Sequence, residues 1–330
     1  MNASFPDRDT VKTALSLAAR APSVHNTQPW RWRVGSNSLH LYADRRLHLA
    51  KTDPDSRDLT LSCGIALHHC VVALGALGWQ SKIHRLPDPD DPEHLAAIEV
   101  HRRPANELDI TLAAAIPRRR TDRRRYSSWE VPANDIALLG ARAARTGVML
   151  RQVNSRSGLK DIMVQAIRKH ATDYGYLSEL TVWSGRYASW AGVPARNTPD
   201  ADPTAPLPPR LFAGPALDQP VDTEPSDDNA VVLALGTRED DLLARLRAGE
   251  ASSLVLLSAT AIGLASCPVT EPLEIRETRD AVQLEVFGLD AYPQMLLRVG
   301  WAPVDADVLP ATPRRPLGDV VEYLDGSRFC

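Results

Sequence analysis

A proline-bounded stretch near the N-terminus restricts the fold more than any other part of the sequence. Residues 20–34 read Arg-Ala-Pro-Ser-Val-His-Asn-Thr-Gln-Pro-Trp-Arg-Trp-Arg-Val and lie between an apolar-periodic helix and an alternating strand. Pro22 and Pro29 fix their own φ and keep the preceding residues out of helical geometry. Trp30 and Trp32 share one face of the strand and can anchor it to a core. We call the segment from Pro22 to Trp30 the elbow and expect a stiff, polar turn.

The elbow sequence Pro-Ser-Val-His-Asn-Thr-Gln-Pro-Trp resembles the P-S-x-x-N-x-Q-P-W flavin-binding elbow of the nitroreductase superfamily. The resemblance implies an α+β nitroreductase-like fold and bound FMN. The alternative is a helix end and a turn that only pack against the core. By this resemblance the elbow residues near the cofactor are Ser23, His25, Asn26 and Gln28, with Trp30 seating them.

The composition is that of a soluble globular protein. Of 330 residues, 44% are hydrophobic and 24% charged, and the net charge of −3 predicts no general attraction to nucleic acid or membrane. No apolar run reaches the ~20 residues that span a bilayer, and we see no secretion leader. Four cysteines without zinc-ligand spacing are expected to be reduced thiols. We therefore expect a cytoplasmic protein with neither a nucleic-acid nor a membrane partner.

The elements after the elbow indicate a strand pair and a buried helix. The strand at 30–34 and residues 39–42 are expected to form a hairpin. Residues 59–79 are apolar nearly all round, which predicts a central helix whose glycines and alanines permit close packing. His68 and His69 face different directions on a helix, and no third ligand is evident, so we interpret them as ordinary histidines rather than as a metal site.

Six arginines fall within the eight residues from Arg118 to Arg125. A solvated basic loop is one interpretation, and nucleic-acid binding is disfavoured because no interleaved aromatic residues or reading module accompany the run. Arg-Arg-Thr-Asp-Arg also resembles the R-R-S-x-R segment that holds the FMN phosphate in nitroreductases. This resemblance assigns that role to Arg119, Thr121 and Arg123. The family's aromatic residue falls one place late, at Tyr126, which leaves the register open by one residue.

Two later segments extend the resemblance. Ser-Cys-Pro-Val-Thr-Glu-Pro is similar to the loop beside the isoalloxazine ring, which implies that Thr270 and Glu271 offer backbone amides to N5 and O4. Glu271 precedes a proline, so the backbone is stiffer there and a carboxylate lies near the ring, which counts against easy nicotinamide access. Pro-Arg-Arg-Pro-Leu-Gly-Asp-Val-Val resembles the closing basic segment that returns to the phosphate. Arg314 and Arg315 are its candidates, and a surface turn is the alternative.

The order of elements in the first part of the chain recurs in the second. A helix at 134–145 and a strand at 148–153 repeat the opening helix and strand, but without the elbow. Helices are expected at 240–247 and 250–265, the second of which echoes the apolar helix, and a strand follows at 292–301. The repetition predicts an internal duplication.

Ordinary nitroreductases are homodimers with sites shared across the interface, and this chain has one elbow in its first half and one arginine segment in its second. The resemblance therefore implies an internally duplicated, Acg-like nitroreductase fold in which one chain mimics the homodimer. The halves are expected at 1–115 and 116–330, in a monomeric protein.

An insertion at about 161–228 interrupts the second half. Residues 161–190 are expected to be helical and carry several aromatic side chains, including Tyr187 and Trp190. The proline-rich segment, residues 194–225, holds nine of the chain's 26 prolines. We expect a lid folded over the site, and a floppy surface insertion is the alternative.

The predicted function is that of an FMN-binding reductase. It would use NAD(P)H as a transient reductant for nitro compounds or quinones. The hydride chemistry belongs to the flavin, so we assign no separate catalytic residue. Neither a dinucleotide-binding glycine motif nor a phosphate-binding loop motif occurs, which argues against a Rossmann dehydrogenase or a P-loop enzyme. The alternative is a protein that stores or sequesters FMN under its lid with little or no turnover.

Overall fold

The computed structural model describes residues 5–186, 189–202, 205–220, 228–304 and 306–329. The helices of these residues are α1 Arg8–Ala18, α2 Arg57–Ala76, α3 Glu107–Ala115, α4 Ala133–Ala144, α5 Arg156–Thr172, α6 Tyr174–Trp183, α7 Leu242–Ala261, α8 Glu271–Glu274 and α9 Arg276–Val282. The strands are β1 Trp30–Val34, β2 Ser38–Ala43, β3 Trp79–Arg85, β4 His94–Arg102, β5 Met149–Gln152, β6 Ser184–Arg186, β7 Val193–Pro194, β8 Val231–Thr237, β9 Ala265–Val269, β10 Tyr292–Gly300 and β11 Val321–Tyr323.

The first sheet has the strand order β11-β1-β2-β4-β3. The predicted hairpin is confirmed, since β1 and β2 pair antiparallel with Trp32 opposite Leu41. Trp30 and Trp32 are fully buried, so the elbow leads directly into the core as expected. Strand β11, from the C-terminal end of the chain, pairs parallel with β1. The last strand of the chain therefore lies in the sheet of the first hundred residues.

The second sheet has the order β5-β8-β10-β9, and its pairs are antiparallel. Strand β9 corrects one expectation, because residues 265–269 form an edge strand rather than a loop. Pro268 is compatible with this position, since an edge strand needs only one of its two hydrogen-bonding sides.

Two long apolar helices connect the sheets. Helix α2 packs against the first sheet, α7 packs against the second, and the helices contact each other. They cross at Gly64 and Gly249, where a Cβ atom on either glycine would overlap the backbone carbonyl of Leu246 or Leu61. The predicted buried helix is thus present as α2, although it ends before Trp79, which begins β3. The division of residues 240–265 into two helices was wrong, because α7 continues through Gly249.

Helix α2 is also the one helix among the described residues that is long and apolar enough to cross a membrane. Most of its apolar window, 78%, is buried inside the fold. Its apolar surface is therefore accounted for by core packing.

The predicted aromatic helix is divided. Helices α5 and α6 are separated at Asp173, and the chain then turns into the short strand β6. Trp190 lies outside any helix and is 65% exposed. Tyr187 lies outside the described residues. The insertion is thus less helical than the sequence indicated.

Candidate functional site

The elbow is held in an unusual backbone conformation. His25, Asn26 and Gln28 have φ values of 44°, 55° and 56°, in the left-handed region that side chains disfavour, and none of them is glycine. Such residues persist only where the surroundings fix them, at roughly 1–3 kcal/mol each. One local contact that fixes this conformation is the hydrogen bond from the backbone N–H of Gln28 to Ser23 Oγ, at 2.9 Å.

Side-chain amides of the elbow bind two segments that are distant in sequence. Asn26 Nδ2 donates to the carbonyl oxygens of Gly192 and Pro313, at 3.0 and 3.1 Å. Gln28 Nε2 donates to the Trp190 carbonyl at 2.8 Å, and Gln28 Oε1 accepts the backbone N–H of residue 315 at 2.8 Å. The two amides therefore fasten the insertion and the C-terminal basic segment to the elbow.

A cavity of about 140 Å³ lies beside the elbow. Its walls come from the elbow, the first turns of α2, the end of β9 with the start of α8, and the proline-rich segment. Six of the predicted site residues line it: Ser23, His25, Thr121, Arg123, Thr270 and Glu271. The other six do not line it: Asn26, Gln28, Trp30, Arg119, Arg314 and Arg315.

Thr270 and Glu271 lie at the start of α8, as its N-cap and first residue. The first amides of a helix have no intrahelical acceptor, so the structure allows both backbone N–H groups to face a ligand. The Glu271 carboxylate lies 3.2 Å from His170 Nδ1, and the His170 ring stacks on Tyr176 with centroids 3.8 Å apart. Helices α5 and α6 of the insertion therefore support this wall of the cavity.

A cluster of four arginines lies where the elbow, the arginine run and the C-terminal segment meet. None of Arg20, Arg119, Arg120 and Arg314 forms an ion pair with a carboxylate of the described residues. The Nε atoms of Arg20, Arg119 and Arg314 are buried without hydrogen-bond partners there. Arg314 does bind the elbow, through a 3.1 Å hydrogen bond to Asn26 Oδ1. We call these four residues the arginine cluster.

Burial and mutual repulsion weaken the charges of the arginine cluster. Burial first, and then Arg120 and Arg20, lower the pKa of Arg119 to about 10. Burial and Arg119 lower the pKa of Arg314 to about 9. Buried charges are normally paired. Because no carboxylate in the described part of the chain neutralises this cluster, it fits a bound anion.

Arg123 occupies a different environment from Arg119. Its guanidinium lies 4.9 Å from the centre of the Phe212 ring and donates to the Asn197 carbonyl at 3.2 Å. It lines the cavity, whereas Arg119 does not. Arg315 is also apart from the cluster, since its guanidinium donates to the Asp319 carbonyl at 3.0 Å.

Among the wall residues that the sequence interpretation did not single out are two charged ones that contact the elbow or lie in the first turn of the apolar helix, Arg210 and Asp58. Arg210, in the proline-rich segment, contacts His25 Nε2 at 2.5 Å, Thr270 Oγ1 at 3.2 Å and the Glu274 carboxylate. Asp58 is the second residue of the apolar helix α2 and lines the same cavity. Arg210 is an isolated charge in a proline-rich stretch, which could have indicated it, whereas Asp58 ends the charged stretch 51–58 and has no such signal.

No group of three or more His, Cys, Asp or Glu side chains within the described ranges could hold a metal ion. His68 and His69 both contact Ser253 Oγ of α7, at 2.7 and 2.9 Å. They thus take part in the packing of α2 against α7.

Two relatives of this chain carry the same kind of name. No protein-family model matches the chain. The Mycobacterium tuberculosis H37Rv protein named "Putative NAD(P)H nitroreductase Rv3131" is 65% identical over 323 residues, covering 98% of this chain and 94% of the relative. "Putative NAD(P)H nitroreductase acg" of the same strain is 35% identical over 325 residues, covering 94% of this chain and 95% of the relative.

Solved structures with a similar fold are more distant. The FMN-dependent nitroreductase NfnB from Mycobacterium smegmatis, in complex with NADPH, covers 64% of this chain and 99% of its own, at 20% identity and a TM-score of 0.40. A nitroreductase with bound FMN from Bacteroides fragilis covers 63% of this chain and 95% of its own, at 14% identity and a TM-score of 0.40. Neither likeness is close enough to transfer residue roles.

Proposed function

The chain belongs to the nitroreductase superfamily, in which its relatives carry the name NAD(P)H nitroreductase, and on this premise we propose that it binds FMN and reduces nitro compounds or quinones with NAD(P)H. The observation that carries the proposal is the arginine cluster. Four guanidinium groups that pair with no carboxylate of the described residues, three of them with buried Nε atoms that also lack a partner there, suit a group with two negative charges.

The FMN phosphate supplies that charge. In this proposal Arg119 and Arg314 are the principal phosphate ligands, and Arg20 and Arg120 complete the site. Arg20 and Arg120 are added to the phosphate ligands that the sequence predicted. Arg123, which the sequence assigned to the phosphate, is reassigned to the flavin ring. Thr121 connects the two regions, because its Oγ1 accepts a hydrogen bond from Arg119 at 3.3 Å and the residue lines the cavity.

The cavity beside the cluster would hold the isoalloxazine ring. Its apolar side chains suit the ring faces, and the amides of Thr270 and Glu271 suit the N5–O4 edge. Bound FMN would supply the redox chemistry by accepting hydride from NAD(P)H and passing it to the substrate. The elbow forms one wall of the cavity, and it is fixed by three residues that do not line the cavity themselves: Asn26, Gln28 and Trp30.

A second candidate function is FMN storage or sequestration. It is favoured by the position of the proline-rich segment, of which residues 207–210 and Phe212 line the cavity. The hydrogen bonds from Asn26 and Gln28 to the Gly192 and Trp190 carbonyls hold the adjoining chain against the elbow. A ring covered in this way would exchange hydride with external partners slowly.

We further propose that the chain is an internal duplication that mimics a nitroreductase homodimer, with halves at 1–115 and 116–330 and a lid insertion at about 161–228. Each half contributes one sheet and one central apolar helix, which supports this division, although β11 pairs with the first sheet. Because the α2–α7 contact would then replace a subunit interface, the protein is expected to be a monomer. We also expect a cytoplasmic location.

The visible spectrum of the purified protein tests both candidate functions. After incubation with FMN and gel filtration, we expect a protein-bound flavin band. Anaerobic addition of NADPH or NADH should bleach it promptly if the protein is a reductase. A bound flavin that bleaches only with dithionite would favour storage. The absence of bound flavin would contradict both.

A further inference from the structure

The first turn of α2 carries a carboxyl group that is buried and unpaired. Asp58 is 6% exposed and lines the cavity. Its Oδ2 atom is buried, and no donor in the described part of the chain binds either side-chain oxygen. Holding an unpartnered carboxylate ion in such a place is costly, so the group is kept as the neutral acid.

The negatively charged groups around Asp58 also favour the neutral acid. Burial first, then the negative charges of Asp53 and Glu274, raise the pKa of Asp58 well above its usual value, and Arg57 and Arg210 only partly oppose this rise. Asp53 is held close by hydrogen bonds from the backbone amides of residues 58 and 59, at 3.0 and 2.8 Å. The other titratable groups lining the cavity are His25, Arg123, Cys267, Glu271 and Arg298.

A second unpartnered group lines the same cavity. The Arg210 guanidinium can only donate, so His25 Nε2 must accept its hydrogen bond, and the proton of the neutral ring lies on Nδ1. Burial and then Arg210 lower the pKa of His25 well below its usual value, which keeps the ring neutral. His25 Nδ1 is buried and has no acceptor within the described residues. Both residues thus bring to the cavity wall a donor, the O–H of Asp58 and the N–H of His25, that no acceptor of the described residues binds.

We propose that these two donors bind the oxygen atoms of a quinone, and that Asp58 is a catalytic residue that protonates one of them. The inference rests on the proposed function, which supplies the reduced flavin as hydride donor. Hydride brings a quinone two electrons and one hydrogen, and one further proton completes the hydroquinone. The O–H bond of Asp58 breaks as a new O–H bond forms on the quinone. Water then reprotonates the Asp58 carboxylate, and His25 acts as a positioning residue.

The substitution Asp58→Asn tests the proton transfer, because asparagine keeps the shape and a hydrogen-bond donor but has no proton to give. FMN-loaded wild type and variant are reduced with dithionite and mixed anaerobically with a soluble benzoquinone or with ferricyanide. We expect reoxidation by the quinone to be at least roughly 100-fold slower in the variant. Ferricyanide takes up an electron without a proton, so its rate should be unchanged.

The matched control is Asp44→Asn. Asp44 is also buried, but it pairs with Arg46 and does not line the cavity. Both reoxidation rates should stay at the wild-type values in this variant.

Two readouts do not depend on the turnover of Asp58→Asn. Infrared spectra of the flavin-free proteins at neutral pH should show a protonated-carboxyl band that the variant lacks. In the wild type, the quinone rate should fall as pH rises through the pKa of Asp58, because the proton donor is lost. Asp53→Asn removes the nearest negative charge, which lowers that pKa, so the fall should move to lower pH. This shift tests the proposal even if Asp58→Asn does not fold.

The outcomes separate this inference from the proposed function. Equal quinone rates in wild type and Asp58→Asn, a wild type without the acid band, or no shift in Asp53→Asn would overturn the role of Asp58, while FMN reduction by NAD(P)H remained intact. A protein that neither holds nor reduces FMN would overturn the proposed function and this inference together.

Discussion

Arg119→Gln should have opposite effects on the flavin-free protein and on flavin binding. Burial and the neighbouring arginines lower the pKa of Arg119 from its usual value to about 10. One pKa unit corresponds to about 1.4 kcal/mol, so the charged form is disfavoured in the fold by about 3 kcal/mol. Linkage fixes the sign of this effect: the penalty is present at all pH values below about 10 and is relieved as the pH rises from there toward the pKa of arginine in the unfolded chain. Neutral glutamine removes it at pH 7.

We therefore expect the free energy of unfolding of the flavin-free variant to rise by up to about 3 kcal/mol, less the packing that the shorter side chain loses. FMN binding should weaken by roughly 1.5–3 kcal/mol, about ten- to a hundredfold, because a charge-assisted hydrogen bond to the phosphate is lost. Urea unfolding of the apoprotein and fluorescence titration with FMN measure the two quantities.

The control for this experiment is Arg118→Gln, one residue away, exposed, and absent from the charges that depress the pKa of Arg119. It should change neither quantity. An Arg119→Gln apoprotein that is less stable and still binds FMN with wild-type affinity would refute the reasoning, because Arg119 would then be a structural residue and not part of an anion site.

Two further predictions concern the helix crossing and the proline-rich segment. Gly64→Ala should lower the free energy of unfolding by about 1–3 kcal/mol, because its Cβ would overlap the Leu246 carbonyl. A Cβ at Gly140 in α4 would meet only Leu150 Cδ2, at 4.0 Å, so Gly140→Ala should raise this free energy by about 0.5–1 kcal/mol, and urea unfolding compares the two variants. Arg210→Gln should speed FMN release, because the variant loses the ion pair to Glu274. The release rate is measured by the recovery of flavin fluorescence after dilution. The control is Arg196→Gln, at an exposed position, which should leave the release rate unchanged.

Local sequence patterns predicted the helices and strands whose side chains follow one regular pattern of burial. The β1–β2 hairpin follows from alternation, and α2 follows from an uninterrupted apolar run. The same reasoning divided α7 at Gly249, because a glycine within a helical pattern commonly marks an end. In the structure this glycine serves tertiary packing instead, since it lets α7 approach Gly64 of α2. That partner is distant in sequence, so a local pattern could not indicate it.

The sequence predicted those residues of the candidate site that belong to a recognisable motif. It did not predict the residues that reach the site through contacts between distant parts of the chain. The resemblance directed attention to Arg119 and Arg314, which the fold brings into one cluster. Arg20 had no motif, and it joins the cluster because the helix before the elbow ends beside the C-terminal segment, where Arg314 Nη2 donates to the Arg20 carbonyl at 2.9 Å. The assignment of individual residues to FMN stays a prediction.

The left-handed residues of the elbow are the clearest case of structure imposed from a distance. Sequence preference opposes φ > 0 at His25 and Asn26, and the cost is offset by contacts with the insertion and the C-terminal segment. His25 also meets Arg210, which fixes its tautomer and joins the elbow to the proline-rich segment. Movement of that segment away from the elbow would break this contact and expose the cavity. The Arg210 contacts with Thr270 and Glu274 hold the same segment, so the tautomer of His25 depends on one of several contacts that keep the segment in place.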